Sequence, residues 1–234
     1  GETVFVAWAH GLHRAWINAL LLTRSDDGGL TWTPPEPVAH PLIKRDSYDD
    51  ISQSLFIHDD DRLSCLINYQ QDGSKDFGFI NSVDGGVTWS GPVAFRPGGK
   101  KWPDIEPYAP IIRLSDGTQV MTGYEWVKQG GEDRNDTRRD RSVLFRSTDD
   151  GLTWSAPIYF DEENFDHNEC MIGEPSPGKL VAFMRTLRAP YMWTSSSADG
   201  GLTWTKLVQS KVTGTCPYLL THSSGALLMT SRNS

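Results

Sequence analysis

Apolar positions in this chain are gathered into short runs of β-branched, aromatic and aliphatic residues, each closed off by glycine, proline, aspartate or serine. Runs at 51–58, 62–69, 77–82 and 88–95 follow one another, with the turn Asp59-Asp60-Asp61 between the first two. The same order returns at 108–114, 118–126, 141–147 and 156–160 around Ser115-Asp116-Gly117, and again at 169–174, 179–186, 191–197 and 205–208 around a turn at 175–178. Runs of this kind between turn residues predict strands. The stretches 3–9 and 19–25 read as strands two and three of a first unit, and 216–222 and 226–232 as strands one and two of a fifth.

One octet joins the third strand of each unit to the fourth. Ser25-Asp26-Asp27-Gly28-Gly29-Leu30-Thr31-Trp32 recurs from Ser82, Ser147 and Ser197, always as S-x-D-x-G-x-T-W, with starts 57, 65 and 50 residues apart. Aspartate at the third position is suited to accept backbone N–H groups two or three residues on, and glycine at the fifth tolerates a positive φ, so the octet predicts a tight hairpin. Serine and threonine add hydroxyl bonds, and the tryptophan is expected to turn inward with its N–H free for a nearby carbonyl. These residues therefore read as a structural staple, and its repetition marks one supersecondary unit used at least four times.

Four-stranded antiparallel units at this spacing predict an all-β β-propeller, each blade burying its faces against its neighbours. The count comes to a little over four blades. The expectation is a single propeller domain over 1–234, incomplete at both ends, in a chain that opens on Gly1 without a methionine.

Composition narrows the partners. A net charge of -8, with no basic run longer than Arg138-Arg139, argues against nucleic acid. No apolar run approaches the roughly 20 residues that span a bilayer as a helix. Cys65, Cys170 and Cys216 lie far apart without CxxC spacing and read as buried thiols. They leave the compartment open, with a secreted or periplasmic location favoured. His10 and His13 lack a third ligand at metal spacing, so neither a metal nor a cofactor is expected.

Because strands alternate in direction, the starts of first strands and the ends of second strands share one face, and the octets lie on the other. That face collects His10, His13, Arg45, Asp46, Asp49, Asp50, Tyr69, Gln70, Glu106, Tyr108, Tyr124, Glu125, Trp126, Asn168, Glu169, Arg185 and Arg232. Carboxylates, aromatic rings and guanidinium groups at one mouth suit a carbohydrate. Each also has a plainer reading: Glu169 and Arg185 as rim or blade-to-blade ion pairs, Asp49 and Asp50 as a solvated turn, the rings as rim filling. The charged loop 127–140 reads as either a lid or a solvated excursion.

The octets resemble the Asp-box (BNR) repeats that mark the sialidase (neuraminidase) superfamily, whose propellers are six-bladed. Asn168-Glu169-Cys170-Met171-Ile172, followed by Gly178-Lys179-Leu180-Val181-Ala182-Phe183-Met184-Arg185, resembles the sialidase segment that carries the active-site glutamate and one arginine of the carboxylate-binding triad. Ala226-Leu227-Leu228-Met229-Thr230-Ser231-Arg232 would by the same resemblance supply another triad arginine. The resemblance implies an exo-acting glycosidase releasing a terminal acidic sugar. In such enzymes Glu169 would take the proton of a tyrosine nucleophile, while Arg185 and Arg232 would hold the sugar carboxylate through forked, charge-assisted hydrogen bonds. Glu106, Tyr108, Glu125, Trp126 and Tyr69 would contact the sugar.

The chain also departs from that pattern. The first triad arginine belongs to an arginine-isoleucine-proline motif upstream of the first box, and the tyrosine nucleophile to the last blade; neither lies in this sequence. The acid aspartate is expected in the first-blade loop, yet residues 10–18 hold no carboxylate. Asp46, Asp49 or Asp50, entering the same rim from the next loop, would substitute. The other readings are a rhamnosidase or polysaccharide lyase on the same scaffold, and a non-catalytic glycan-binding propeller.

Overall fold

The computed structural model describes residues 3–10, 19–38, 54–71, 74–108, 110–127, 139–163, 166–186 and 188–232. The chain divides into two compact units, Gly1–Phe95 and Arg96–Ser234. The described residues form antiparallel sheets with one 3₁₀ turn at Pro97–Gly99.

In the first unit β1 (Val4–His10), β2 (Ala19–Ser25) and β3 (Glu36–Pro37) make a three-stranded sheet, and β4 (Ser54–Ile57), β5 (Leu63–Gln71), β6 (Ser74–Ser82) and β7 (Val93–Ala94) a four-stranded one, each in chain order. Alternate residues of the two sheets meet in one core: Leu20, Leu22, Cys65, Ile67, Tyr69 and Ile80 are all buried. In the second unit β8 (Ile105–Pro107) and β9 (Ile112–Arg113) both pair with β10 (Gln119–Val127), which continues to β11 (Arg139–Ser147) and β12 (Ile158–Tyr159). The next sheet is β13 (His167–Ser176), β14 (Lys179–Thr186), β15 (Tyr191–Ser197) and β16 (Val208–Thr213), followed by the pair β17 (Thr215–Thr221) and β18 (Leu227–Arg232).

Each full sheet is an up-and-down meander of four strands, the blade of a β-propeller. Strand alternation explains how the blades of the second unit stack. Cys170, Ile172, Leu180, Ala182 and Met184 lie two apart and pack with Leu114, Val120 and Leu144 of the sheet before. Met171 and Phe183, pointing the other way, pack with Leu219 and Met229 of the sheet after, with Tyr108 and Ile112 alongside. Burying side chains of this size stabilises by about 1.5–3 kcal/mol each, so a strand that is apolar on both faces is held only between two neighbours.

All four octets close as hairpins. In the first, Ser25 Oγ donates to Asp27 Oδ1 at 2.7 Å and accepts the Gly29 N–H at 2.8 Å, while Asp27 accepts the Thr31 N–H at 2.9 Å and the Thr31 hydroxyl at 2.6 Å. The same bonds recur around Asp84, Asp149 and Asp199. The aspartate thus reaches N–H groups three and four residues on, one step further than expected. Trp32 and Trp89 donate their indole N–H to the box glycine carbonyl. Trp154 is buried as expected, whereas Trp32 remains 43% exposed.

Strand limits differ from expectation where backbone donors are missing. Of the expected run 108–114 only the two-residue β9 is strand, and β8 ends at Pro107 just before the run, because Pro107 and Pro110 offer no N–H to the ladder. Beyond the boxes, the expected strands 88–95 and 156–160 shrink to the two-residue β7 and β12. The expected 205–208 is displaced to β16.

Candidate functional site

The first two strands of each blade are joined by a turn with one left-handed residue: Asp61, Gly117, Gly178 and Gly225 have φ of 63°, 87°, 73° and 83°. Seven residues further along the second strand stand Asn68, Tyr124, Arg185 and Arg232. These are equivalent positions near the far end of the strand from its hairpin. In the second unit each faces a first-strand residue: Tyr124 is opposite Glu106, Arg185 opposite Asn168 and Arg232 opposite Thr215. The box hairpin stays at the other end, where the Gly200 N–H donates to the Gly178 carbonyl at 2.9 Å.

Glu169 follows the residue opposite Arg185 and is squeezed out of the β13–β14 ladder as a bulge between Asn168 and Cys170, with φ 37°. A left-handed residue without the freedom of glycine costs of order 1–3 kcal/mol, and such strain concentrates where function requires it. The bulge turns the carboxylate onto Arg185: Nη1 donates to Oε1 at 2.7 Å, with 14% of the Glu169 side chain and 30% of the Arg185 side chain exposed. The other oxygen, Oε2, accepts the Cys216 N–H at 3.2 Å. Arg185 Nε is shielded from solvent and has no partner among the described residues, so the guanidinium keeps donor capacity. Arg232 is exposed and makes no ion pair among the described residues.

An aromatic file leads away from this pair. The rings of Tyr108 and Tyr124 are 6.0 Å apart, and those of Tyr124 and Trp126 5.8 Å. Burial and the nearby Glu169 charge push the Tyr108 hydroxyl well above the usual phenol range, so it stays protonated and able to donate. Glu106 shares a face with Tyr124 through their pairing. Beneath the rim lies a buried polar layer. Asn168 Nδ2 donates to Asp140 Oδ2 at 2.8 Å, and the Ser142 N–H donates to His167 Nδ1 at 3.0 Å. These bonds fix the two residues of β13 just before the bulge against β11.

The rim residues expected from sequence separate into groups. Glu169, Arg185, Tyr108 and, through Tyr124, Trp126 and Glu106 come together in the second unit. Glu125 alternates to the opposite face of β10, where it accepts from Arg141 Nε at 2.5 Å and Arg141 stacks over Tyr159 at 3.9 Å. Tyr69 is 4% exposed within the core of the first unit, against Gly78. Arg45, Asp46, Asp49, Asp50, His13 and loop residues 128–138 lie outside the described residues. Cys216, expected as a buried thiol, is half-buried at a bulge of its own, unlike the fully buried Cys65 and Cys170. Tyr124, expected on this face, stands in the aromatic file, and Cys216 is the contributor missed by choosing candidates from sequence. Nothing local in the sequence marks Cys216.

Four-stranded antiparallel blades stapled by Asp boxes, with a glutamate–arginine pair at the strand ends opposite the boxes, define a sialidase-type β-propeller. A family model described as BNR repeat-like domain matches residues 53–231, and the chain belongs to that family. A sialidase from Bacteroides fragilis (strain YCH46) is 30% identical over 156 residues, covering 55% of this chain and 28% of the relative. Among solved structures, a protein of unknown function from Dyadobacter fermentans DSM 18053 superposes with a TM-score of 0.70 at 23% identity, covering 97% of this chain and 71% of its own. The Hadza microbial sialidase Hz136 also gives 0.70, at 18% identity, over 97% of this chain and 50% of its own. At these identities the structural likeness is one of fold, and the chain spans about half the length of that sialidase.

Proposed function

We propose that the chain is the propeller of a glycoside hydrolase of the exo-α-sialidase type, releasing a terminal acidic sugar from glycans. The observation that carries this reading is the Glu169–Arg185 pair, a carboxylate held at 2.7 Å from a guanidinium that retains an unpartnered N–H. Arg185, with Arg232, offers the forked donors that a sugar carboxylate needs. Glu169 takes the proton of the attacking hydroxyl, and Asp49 or Asp50 supplies the acid for the leaving group. Glu106, Tyr108 and Trp126 contact the sugar.

The test is turnover of a fluorogenic α-sialoside by the complete gene product. Glu169→Gln is expected to lower kcat by about 100-fold or more, the range of general acid–base contributions. Arg185→Lys is expected to lower kcat/KM by about tenfold or more, because a point charge replaces a planar fork. Equal turnover by parent and Glu169→Gln overturns the assignment. A second reading, a glycan-binding propeller without catalysis, is favoured by one feature: both Glu169 oxygens are already engaged by protein donors. Glycan-array binding with no sialoside turnover supports that reading.

A further inference from the structure

Between His167 and Gly173 the β13–β14 register breaks once, at Glu169, and the residues on both sides of the break are held from the preceding sheet. Before it, the Ser142 N–H donates to His167 Nδ1 at 3.0 Å and Asn168 Nδ2 donates to Asp140 Oδ2 at 2.8 Å. After it, the Thr122 hydroxyl donates to the Cys170 carbonyl at 2.5 Å. All six of these residues are 2% exposed or less. The three anchors share one face of the β10–β11 pair, because Thr122 stands opposite Leu144, Tyr124 opposite Ser142 and Trp126 opposite Asp140. Toward the hairpin end that face is apolar, with Val120 and Leu144 packed in one cluster with Cys170 and Ile172. It turns polar at the level of the bulge. A buried polar layer whose bonds are made fixes one arrangement of the strands it joins. Stability alone does not call for glutamate at residue 169 either, because the left-handed position of a bulge is one that glycine takes freely.

We propose that Thr122, Asp140, Ser142 and Asn168 are positioning residues for Glu169: with β13 anchored at 167, 168 and 170, its extra residue can be extruded only at 169, and the carboxylate is turned onto Arg185 Nη1 and the Cys216 N–H. The bulge is thus placed by the preceding blade and received by the following one. The part played by Glu169 in turnover rests on the function proposed above; the clamp itself is a matter of geometry and has its own readout.

The Cys216 amide, which donates to Glu169 Oε2 at 3.2 Å, reports the aim of the carboxylate without any substrate. Its hydrogen exchange is followed by NMR relative to the ladder amides of β17 and β18. Thr122→Val keeps the shape and removes the hydroxyl, and is expected to speed Cys216 exchange by about tenfold, the equivalent of one lost hydrogen bond. Asn168→Ala is expected to act in the same direction. The two lie on opposite sides of residue 169, so either one that folds decides the outcome. Thr122→Ser keeps the hydroxyl and is expected to stay within about threefold of the parent. In the sialoside assay Thr122→Val is expected to lower kcat by about tenfold or more, since a reacting group displaced by about 1 Å is enough for that, and Thr122→Ser to keep kcat within about threefold. Glu174→Ala is the control for stability alone, because Glu174 bonds Ser115 and Gly178 at the hairpin end of the same strand. It is expected to leave relative Cys216 exchange and kcat within about twofold of the parent. Cys216 exchange within about twofold of the parent in Thr122→Val overturns the clamp, and so does an equal acceleration in Glu174→Ala. If the parent turns over no sialoside, the exchange result still decides the clamp, and only the hydrolase reading falls.

Discussion

Glu174 carries a prediction that isolates blade-to-blade coupling from the candidate site. Its Oε2 accepts the Ser115 N–H at 2.7 Å, and its Oε1 accepts the Ser115 hydroxyl at 2.9 Å and the Gly178 N–H at 2.8 Å. One carboxylate thus ties the hairpin that precedes β10 to the hairpin that precedes β14. All three partners donate, and two are backbone groups that can do nothing else. Hydrogen bonds to a charged acceptor contribute about 1.5–3 kcal/mol each when buried. Solvent reaches this clamp, with Ser115 exposed and Glu174 half-buried, so Glu174→Ala is expected to cost about 2–3 kcal/mol in all. Glu174→Gln is the sharper probe. Its shape is unchanged, but its NH₂ group must oppose one of three donors, and the expected loss is about 1–2 kcal/mol. At about 2–4 °C per kcal/mol for a chain of this size, thermal unfolding should fall by about 5–10 °C in the alanine variant. The clamp lies at the hairpin end of β13–β14, roughly 20 Å along the strand from Arg185 at about 3.3 Å per residue, so KM should not move. Stability of Glu174→Gln within about 0.5 kcal/mol of the parent would refute the claim that donor matching holds these hairpins together.

Further expectations concern the boxes. The Thr88 hydroxyl and N–H, with Ser82, hold the Asp84 carboxyl down to about 2, and Asp27 is held at about 2 in the same way by Thr31 and Ser25, against an ordinary 3.8. A carboxyl depressed in the folded state stabilises fully above its unfolded value, and that contribution is lost as pH falls from about 4 to about 2. Urea midpoints measured across that range should drop, and Asp84→Asn should flatten the drop; an unaltered acid limb in the variant would count against this account. Gly201 has φ 88°, and an added Cβ would lie 2.8 Å from Leu144 Cδ2 of the preceding blade. Gly201→Ala is therefore expected to cost at least about 2 kcal/mol by equilibrium unfolding, from backbone strain and overpacking together.

What could be read from the chain alone was whatever is decided within a few neighbouring residues. The Asp box closes on its own serine, aspartate and threonine, so four copies announced four hairpins and, with the alternating strands around them, a propeller. Strand direction then placed Glu169 and Arg185 at one end of their blade, and their ion pair agrees. Parity was harder to read. Tyr124, Glu125 and Trp126 are consecutive, yet only register against Glu106 and Arg141 shows that Tyr124 and Trp126 share a face and Glu125 points the other way. Tyr69 looked like a rim residue until packing put it in the core of the first unit. Cys216 was the least legible, because a bulge is set by slippage between two strands and by the carboxylate of the preceding blade that receives its N–H. Local hydrogen bonding is encoded within a turn's own residues. The aim of a side chain at a strand end depends on partners about fifty residues away, and only the assembled blades bring those partners within reach.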